Sequence, residues 1–151
     1  QMIEAYEQTG GNMVAAMEVP PQKAGSYGIL DIKEDMGSIV KVKGMVEKPK
    51  REEAPSNLAV IGRYILTPKV MTNLNKMKHG AGGEVQLTDA IAEETKAGKV
   101  FGFRFRGQRY DCGSKAGFLQ ATVAFGLSRS DLREEFSAYL NDMIALQKAA
   151  Q

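Results

Sequence analysis

An adjacent carboxylate and ammonium group, Glu47 and Lys48, form the pair of side chains with the clearest chemical potential in this chain. The pair stands where an expected strand meets a loop, and in open α/β sheets ligands bind beyond the carboxyl ends of strands. A carboxylate accepts hydrogen bonds from two neighbouring hydroxyls, and an ammonium group binds phosphate as a point charge. The pair therefore suits a ligand with hydroxyls on one side and phosphate on the other, although a solvated charged turn is the alternative.

Three further places in the sequence have both a functional and a purely structural interpretation. Gly28 follows Tyr27 at the edge of an expected strand, where glycine lets another group approach the backbone closely. Asn57 precedes a buried strand, where asparagine is commonly a turn former. Asp111 stands at a strand end before a capped helix, where an aspartate usually complements the helix N-terminus. Residue types alone leave both interpretations open at each place.

A glycine-bearing segment, Gly80 to Asp89, is expected to be a loop that enters a helix. Free backbone N–H groups at such a helix start can bind an anion. The alternative is a well-capped helix in which Glu84 and Asp89 complement the helix dipole. The second interpretation is the simpler one for Asp89.

The hydrophobic pattern predicts strands that alternate with helices. The expected strands span 12–19, 27–33, 39–47, 58–66 and 99–106, and the expected helices span 1–8, 84–96, 114–127 and 131–149. Further helix starts or caps are expected at Thr67 with Pro68, at Ser114, and at Asp131 with Glu134. This order predicts an α/β fold with a mixed sheet and a helical C-terminal arm.

The composition limits the class of protein. The chain has 151 residues, 43% of them apolar, and a net charge of +2, so one domain with a real core is possible. No basic block stands out, which argues against nucleic acid as the main partner. Because no run of about 18 apolar residues is present and the single cysteine allows no disulfide framework, we expect no membrane span and a cytoplasmic location. Helical character already at Gln1 predicts that the chain is a fragment of a longer polypeptide.

Four blocks in a fixed order carry a family resemblance. They are Val46–Pro49, Pro55–Tyr64, Gly82–Asp89 and Tyr110–Gly113. Together they closely resemble the C-terminal half of the bacterial UTP–glucose-1-phosphate uridylyltransferases, also called UDP-glucose pyrophosphorylases, over nearly the whole chain. The resemblance implies a partial Rossmann-like nucleotidyltransferase sheet, the sugar-phosphate-binding half, over residues 1–130. Residues 131–151 would then form a C-terminal helix for packing or dimerisation.

The resemblance also implies roles for individual residues. In this family the matching glutamate grips the hexose, the matching lysine touches the adjacent phosphate, and the matching aspartate is one of two carboxylates that hold Mg²⁺. The expected catalytic residues are Lys48 and Asp111, the expected metal ligand is Asp111, and the expected substrate-binding residues are Tyr27, Gly28, Glu47, Lys48, Asn57 and Val60.

The implied reaction converts UTP and glucose-1-phosphate into UDP-glucose and pyrophosphate by Mg²⁺-assisted in-line attack. The implied partners are these substrates, further copies in a homodimer or tetramer, and an N-terminal half of the same protein that holds the nucleotide. Since no Gly-x-Gly-Thr-Arg stretch occurs in the sequence, we expect little turnover from this chain alone. Two alternatives stay open: uridylyl or thymidylyl transfer to another hexose-1-phosphate, and a non-catalytic module that binds a sugar nucleotide.

Overall fold

The computed structural model of the protein describes residues 1–76 and 85–150. The strands in these ranges are β1 (Asn12–Glu18), β2 (Gly28–Asp35), β3 (Ile39–Glu47), β4 (Leu58–Ile65) and β5 (Val100–Arg104). The α-helices are α1 (Met2–Thr9), α2 (Pro68–Leu74), α3 (Leu87–Thr95), α4 (Lys115–Ser128) and α5 (Arg133–Ala149), and short 3₁₀ turns cover Pro21–Ser26 and Arg51–Glu53. The chain divides into two compact units, Gln1–Arg106 and Gly107–Gln151, which are described separately.

The strands of the first unit form one sheet in the order β1-β4-β2-β3-β5, and this sheet closes into a barrel. β1 and β5 run parallel, whereas the other neighbouring strands are antiparallel. The predicted α/β fold with a mixed sheet is thus confirmed. Closure arises because β5 pairs with both β1 and β3, and nothing in the local sequence pattern indicated it.

Helices α2 and α3 cover one side of the barrel and complete the main core. Its buried side chains are Val14, Ala16, Leu30, Val40, Val42, Leu58, Val60, Val70, Ala90, Ile91 and Val100. A second cluster forms where Ala5 of α1 meets Met13 and Phe103. The main core takes alternate residues of β1, β3 and β4, and burial of one strand face in this way specifies the strand register.

Asn12 is fully buried and links three elements of the first unit. Its side-chain amide donates to the carbonyl of Lys99 at 3.3 Å, and its Oδ1 accepts from the backbone N–H and the hydroxyl of Thr67 at 2.8 and 3.1 Å. Thr67 does precede α2 and Pro68 is its first residue, as predicted. The expected side-chain cap is absent, however, because the Thr67 hydroxyl binds Asn12 instead of an N–H of α2.

α3 begins at Leu87, so the predicted start at Glu84 is wrong. Gln86 occupies the N-cap position and has extended backbone angles, and neither Val85 nor Gln86 is helical. The expected end near Lys96 is confirmed, since the helix ends at Thr95 and Lys96 is its C-cap. Glu84 itself lies outside the described residues.

The second unit contains α4 and α5. The Ser114 hydroxyl accepts from the N–H of Gly117 at 3.0 Å, which confirms the predicted cap of α4. The predicted cap at Asp131 is wrong, because α5 starts at Arg133 with Leu132 at the N-cap. The Asp131 carboxylate instead accepts two hydrogen bonds from Arg129, at 2.9 and 2.6 Å.

None of the described helices is long and apolar enough to span a lipid bilayer.

Candidate functional site

An open cavity of about 300 Å³ lies in the first unit where β2 begins and β3 ends. The antiparallel register pairs Gly28 with Glu47, and it pairs Ile29 of β2 with Ala59 of β4. These pairings bring the ends of three strands to one place. The cavity is lined by Ser26, Tyr27, Gly28, Glu47, Val60, Gly62, Tyr64, Gln86, Leu87 and Thr88.

The structure therefore brings together four of the residues expected to bind substrate: Tyr27, Gly28, Glu47 and Val60. A Cβ atom at position 28 would lie 2.9 Å from Oε2 of Glu47 and 3.8 Å from the side chain of Val60. Only glycine leaves the Glu47 carboxylate room to occupy its observed position. Glu47 is exposed at the end of β3, so its carboxylate is accessible to a ligand in the cavity.

Tyr64 contributes a phenol group to the same cavity, and the sequence reasoning missed it. Burial raises the pKa of Tyr64, and the nearby Glu47 carboxylate raises this pKa further. The phenol is therefore protonated at neutral pH and can donate a hydrogen bond. The sequence does contain a pattern that indicates Tyr64. Val60, Gly62 and Tyr64 are spaced two apart on one strand and so face the same side.

The first turn of α3 closes another side of the cavity through Gln86, Leu87 and Thr88. The Thr88 Oγ1 atom is buried and has no hydrogen-bond partner among the described residues. A buried hydroxyl without a hydrogen-bond partner destabilises the folded protein. A ligand that supplies the partner therefore binds more tightly. Gln86 to Thr88 belong to the glycine-bearing segment of the sequence, whose residues 80–84 lie outside the described ranges.

Lys48 follows Glu47 directly but is not among the residues that line the cavity. Its φ of 46° places it in the left-handed region, the one such non-glycine residue within 1–76 and 85–150. For an L-residue this conformation costs about 1–2 kcal/mol. The Lys48 N–H donates to the Tyr27 carbonyl at 3.0 Å, which ties this turn to the cavity wall.

Asn57 is exposed and also does not line the cavity. Its backbone carbonyl accepts from the N–H of Val19 at 3.0 Å. The neighbouring Ser56 hydroxyl donates to the Leu30 carbonyl at 2.6 Å and accepts from the N–H of Leu58 at 3.0 Å. These bonds set the entry to β4, so the contribution of Asn57 visible here is structural.

Asp111 lies in the second unit, immediately before α4. Its Oδ1 accepts from the N–H of Gly113 at 3.1 Å, and its carbonyl accepts from the Ser114 N–H at 3.1 Å. The carboxylate is exposed, which leaves oxygen for a hard cation. No group of three acidic, histidine or cysteine side chains able to enclose a metal occurs in the described part of the chain. Asp111 can thus supply one ligand to a metal but not a complete site.

Comparison with known proteins places the chain in a family. A family model described as "Nucleotidyl transferase" matches residues 1–126. The chain belongs to the nucleotidyl transferase family. A curated relative, a UTP–glucose-1-phosphate uridylyltransferase of Komagataeibacter xylinus, is 55% identical over 115 residues, which are 76% of this chain and 40% of that protein. Members of such a family typically use a divalent metal ion.

Two solved structures resemble the fold closely. A UDP-glucose pyrophosphorylase complexed with UDP-glucose has a TM-score of 0.78 and 40% identity, over 85% of this chain and 49% of that one. A UTP-bound enzyme of the same kind from Acinetobacter baumannii has a TM-score of 0.80 and 37% identity, over 92% of this chain and 48% of that one. The chain spans about half the length of the curated relatives it matches.

Proposed function

We propose that this chain is the C-terminal, sugar-phosphate-binding half of a UTP–glucose-1-phosphate uridylyltransferase. The observation that carries the proposal is the single cavity that Tyr27, Gly28, Glu47 and Val60 share. Further support comes from the relatives, which are named for this reaction, and from a similar structure complexed with UDP-glucose. The complete reaction would convert UTP and glucose-1-phosphate into UDP-glucose and pyrophosphate.

The cavity supplies groups of complementary chemistry for a hexose. The Glu47 carboxylate accepts hydrogen bonds from two adjacent sugar hydroxyls. The protonated Tyr64 phenol can donate one, and the unpaired Thr88 hydroxyl can donate or accept one. Val60 offers an apolar surface to the ring. This half of the site would thereby bind and orient the sugar, and such positioning contributes to catalysis together with charge neutralisation.

Lys48 would hold the phosphate attached to the sugar. Lys48 is exposed and directly follows Glu47, which lines the cavity. A lysine ammonium binds phosphate as a compact point charge with three donors. It would keep the attacking phosphate oxygen close to the nucleotide and reduce the repulsion between two phosphate groups.

Asp111 would be a ligand of Mg²⁺ in the assembled enzyme. Magnesium is usually held by one or two carboxylates together with substrate phosphates, and a single exposed carboxylate fits that arrangement. When bound, the ion would neutralise charge on the phosphate oxygens during transfer. Asp111→Asn should abolish turnover of a full-length enzyme and leave its fold intact, and normal turnover would contradict the assignment.

The nucleotide-binding groups would come from an N-terminal half of the same protein, so we expect this chain alone to show little turnover. The same proposal puts the enzyme in the cytoplasm, where UTP is available and the single, exposed Cys112 stays reduced. Cell fractionation tests the location. A turnover assay with UTP and glucose-1-phosphate tests the need for a second half, because full activity of the isolated chain would contradict it.

Calorimetric titration of UDP-glucose with Mg²⁺ tests the sugar site itself. We expect the wild-type chain to bind and Glu47→Ala to lose about tenfold or more in affinity, the usual cost of losing hydrogen bonds to a charged group. Glu52→Ala is the matched control, because Glu52 is an exposed glutamate outside the cavity on the nearby 3₁₀ turn. Equal affinity of the wild type and Glu47→Ala would overturn the assignment.

A further inference from the structure

β4 contains a bulge beside the cavity. Val60 pairs with Ala16 of β1, whereas Tyr64 pairs with Val14. Three residues of β4, at positions 61 to 63, therefore lie opposite the single residue Ala15 of β1. Bulges are frequent beside active sites, where they redirect a side chain or end the pairing of two strands.

The backbone at the centre of this bulge favours glycine. Gly62 has a φ of 74°, and among the described residues it is the one glycine with positive φ inside a strand. L-residues seldom adopt such angles. A Cβ atom at position 62 would meet nothing within 4 Å, so the backbone conformation and not a lack of space calls for glycine here.

The chain is held in register on both sides of the bulge. Before it, Ala59 pairs with Met17 of β1 and with Ile29 of β2. After it, the backbone N–H and the hydroxyl of Thr67 donate to Oδ1 of Asn12 at 2.8 and 3.1 Å. The extra residues of β4 must therefore be accommodated between these two fixed points.

The bulge shortens the distance between Val60 and Tyr64. In a regular strand the Cα atoms of two residues four positions apart lie about 13 Å apart. The partners of Val60 and Tyr64 on β1 are only two positions apart, a spacing of about 7 Å, so the bulge draws Tyr64 closer to Val60 by about 6 Å.

This shortening also brings Tyr64 towards Glu47. Val60 lies beside Gly28, because a Cβ atom at position 28 would be 3.8 Å from the Val60 side chain, and Gly28 pairs with Glu47. Burial and then the Glu47 carboxylate raise the pKa of the Tyr64 phenol, in agreement with this proximity.

We infer that Gly62 is a positioning residue of the cavity: the bulge that it permits places the Tyr64 phenol near the Glu47 carboxylate, so that both groups can bind one ligand. A phenol that donates beside a carboxylate that accepts suits a ligand whose hydroxyl groups do both. The inference rests on the proposed function, since it assumes that the hexose of UDP-glucose occupies this cavity.

Calorimetric titration of UDP-glucose with Mg²⁺ into the wild type, Gly62→Ala and Gly62→Asn tests the role of the backbone. Alanine is disfavoured at such a φ by a factor of roughly 5 to 30, whereas asparagine tolerates it better. We expect affinity to fall about fivefold or more in Gly62→Ala and to fall less in Gly62→Asn. A greater loss in Gly62→Asn, which has the larger side chain, would show that space matters and not the backbone, and would overturn the inference.

Gly37→Ala is the matched control for backbone strain. Gly37 has a φ of 86°, a Cβ atom there would also meet nothing within 4 Å, and the residue lies outside the cavity in the turn between β2 and β3. Gly37→Ala should therefore keep the wild-type affinity for UDP-glucose. A loss equal to that of Gly62→Ala would mean that general destabilisation is the cause, and would overturn the inference.

A double-mutant cycle tests whether Gly62 acts through Tyr64. In a Tyr64→Phe background the phenol oxygen is already absent, so adding Gly62→Ala should change the affinity by less than about twofold. A loss as large as in the wild-type background would overturn the positioning role.

Nuclear Overhauser effects in the wild type test the bulge without any variant. The Val60 methyl groups and the Tyr64 ring should show a mutual effect, and its absence would overturn the inference even if the Gly62 variants do not fold. A folded Gly62→Ala with wild-type affinity overturns this inference alone. If the wild type does not bind UDP-glucose, the proposed function fails and the inference fails with it.

Discussion

Thr88 lines the cavity, and its hydroxyl group lacks a hydrogen-bond partner among the described residues. Its hydroxyl is buried and unpaired among the described residues, a state that costs about 1–3 kcal/mol. Thr88→Val replaces the hydroxyl with a methyl group of similar size. We expect the free energy of unfolding to stay level or to rise by about 1 kcal/mol, because an unmet polar group is removed. Binding of UDP-glucose should weaken by up to about tenfold.

Thr95→Val on the same helix is the control for this prediction. The Thr95 hydroxyl already donates to the carbonyl of Ala92 at 2.6 Å, so its removal should not raise stability or change binding. Urea denaturation measures the first effect and calorimetry the second. A Thr88→Val variant that is less stable than the wild type, yet binds UDP-glucose equally well, would contradict the role given to this hydroxyl.

At the residue scale, the sequence motifs located four residues of the cavity and missed Tyr64 and Thr88. Tyr27, Gly28, Glu47 and Val60 share the cavity as the motifs suggested. Tyr64 escaped because it lies within β4, where a phenol looks like ordinary packing, and Thr88 escaped because the segment that contains it was interpreted through its backbone N–H groups and its carboxylates. The place of Tyr64 beside Glu47 depends on how β2, β3 and β4 pair, which is a long-range feature.

At the scale of elements, Arg104 fastens the turn between β2 and β3 to β5. Its guanidinium donates to both oxygens of Asp35 at 2.9 and 2.8 Å and to the Gly37 carbonyl at 2.6 Å. The hydrogen bond from Arg104, followed by that from the Gly37 N–H, lowers the pKa of Asp35. A carboxyl group with a depressed pKa in the folded state stabilises the protein above its unfolded pKa of about 3.9, and this stability is lost as pH falls below it.

Asp35→Asn should therefore make the free energy of unfolding less dependent on pH in the acid range. Between about pH 5 and pH 2 the variant should lose less unfolding free energy than the wild type, and near neutral pH it should be slightly less stable. Glu34→Gln is the control, because Glu34 is exposed and has no ion pair in the described ranges. Thermal melts across this pH range measure the effect. Parallel curves for Asp35→Asn and the wild type would refute it.

The periodicity of apolar residues predicted which helices and strands form. The departures from the predicted pattern have specific physical causes. Gly102 interrupts an otherwise alternating strand because a Cβ there would lie 2.6 Å from the side chain of Leu30 and 2.7 Å from that of Val40, its partner on β3. The cap expected at Asp131 failed because Arg129 competes for its carboxylate. The neighbours of Gly102 are distant in the sequence, whereas the partner of Asp131 is only two residues away and was overlooked.

At the scale of the whole molecule, α5 presents an apolar face that the second unit does not bury. Tyr139, Met143 and Leu146, which share one side of the helix, are 56%, 40% and 67% exposed. We propose that this face contributes to a homodimer or tetramer. Removal of the chain after Ser130 should then lower the oligomer mass measured by light scattering, since exposed apolar clusters of this kind commonly mark interfaces. An unchanged mass would exclude α5 from the interface.

The most direct test of the whole account is to locate where UDP-glucose binds. Amide chemical-shift mapping by ¹⁵N NMR should show the largest changes at Gly28, Glu47, Val60 and Thr88, which surround the cavity. UDP, which lacks the hexose, should leave these amides unmoved. Changes confined to other parts of the chain, with these four amides unaffected by UDP-glucose, would contradict the claim that this cavity is the sugar site.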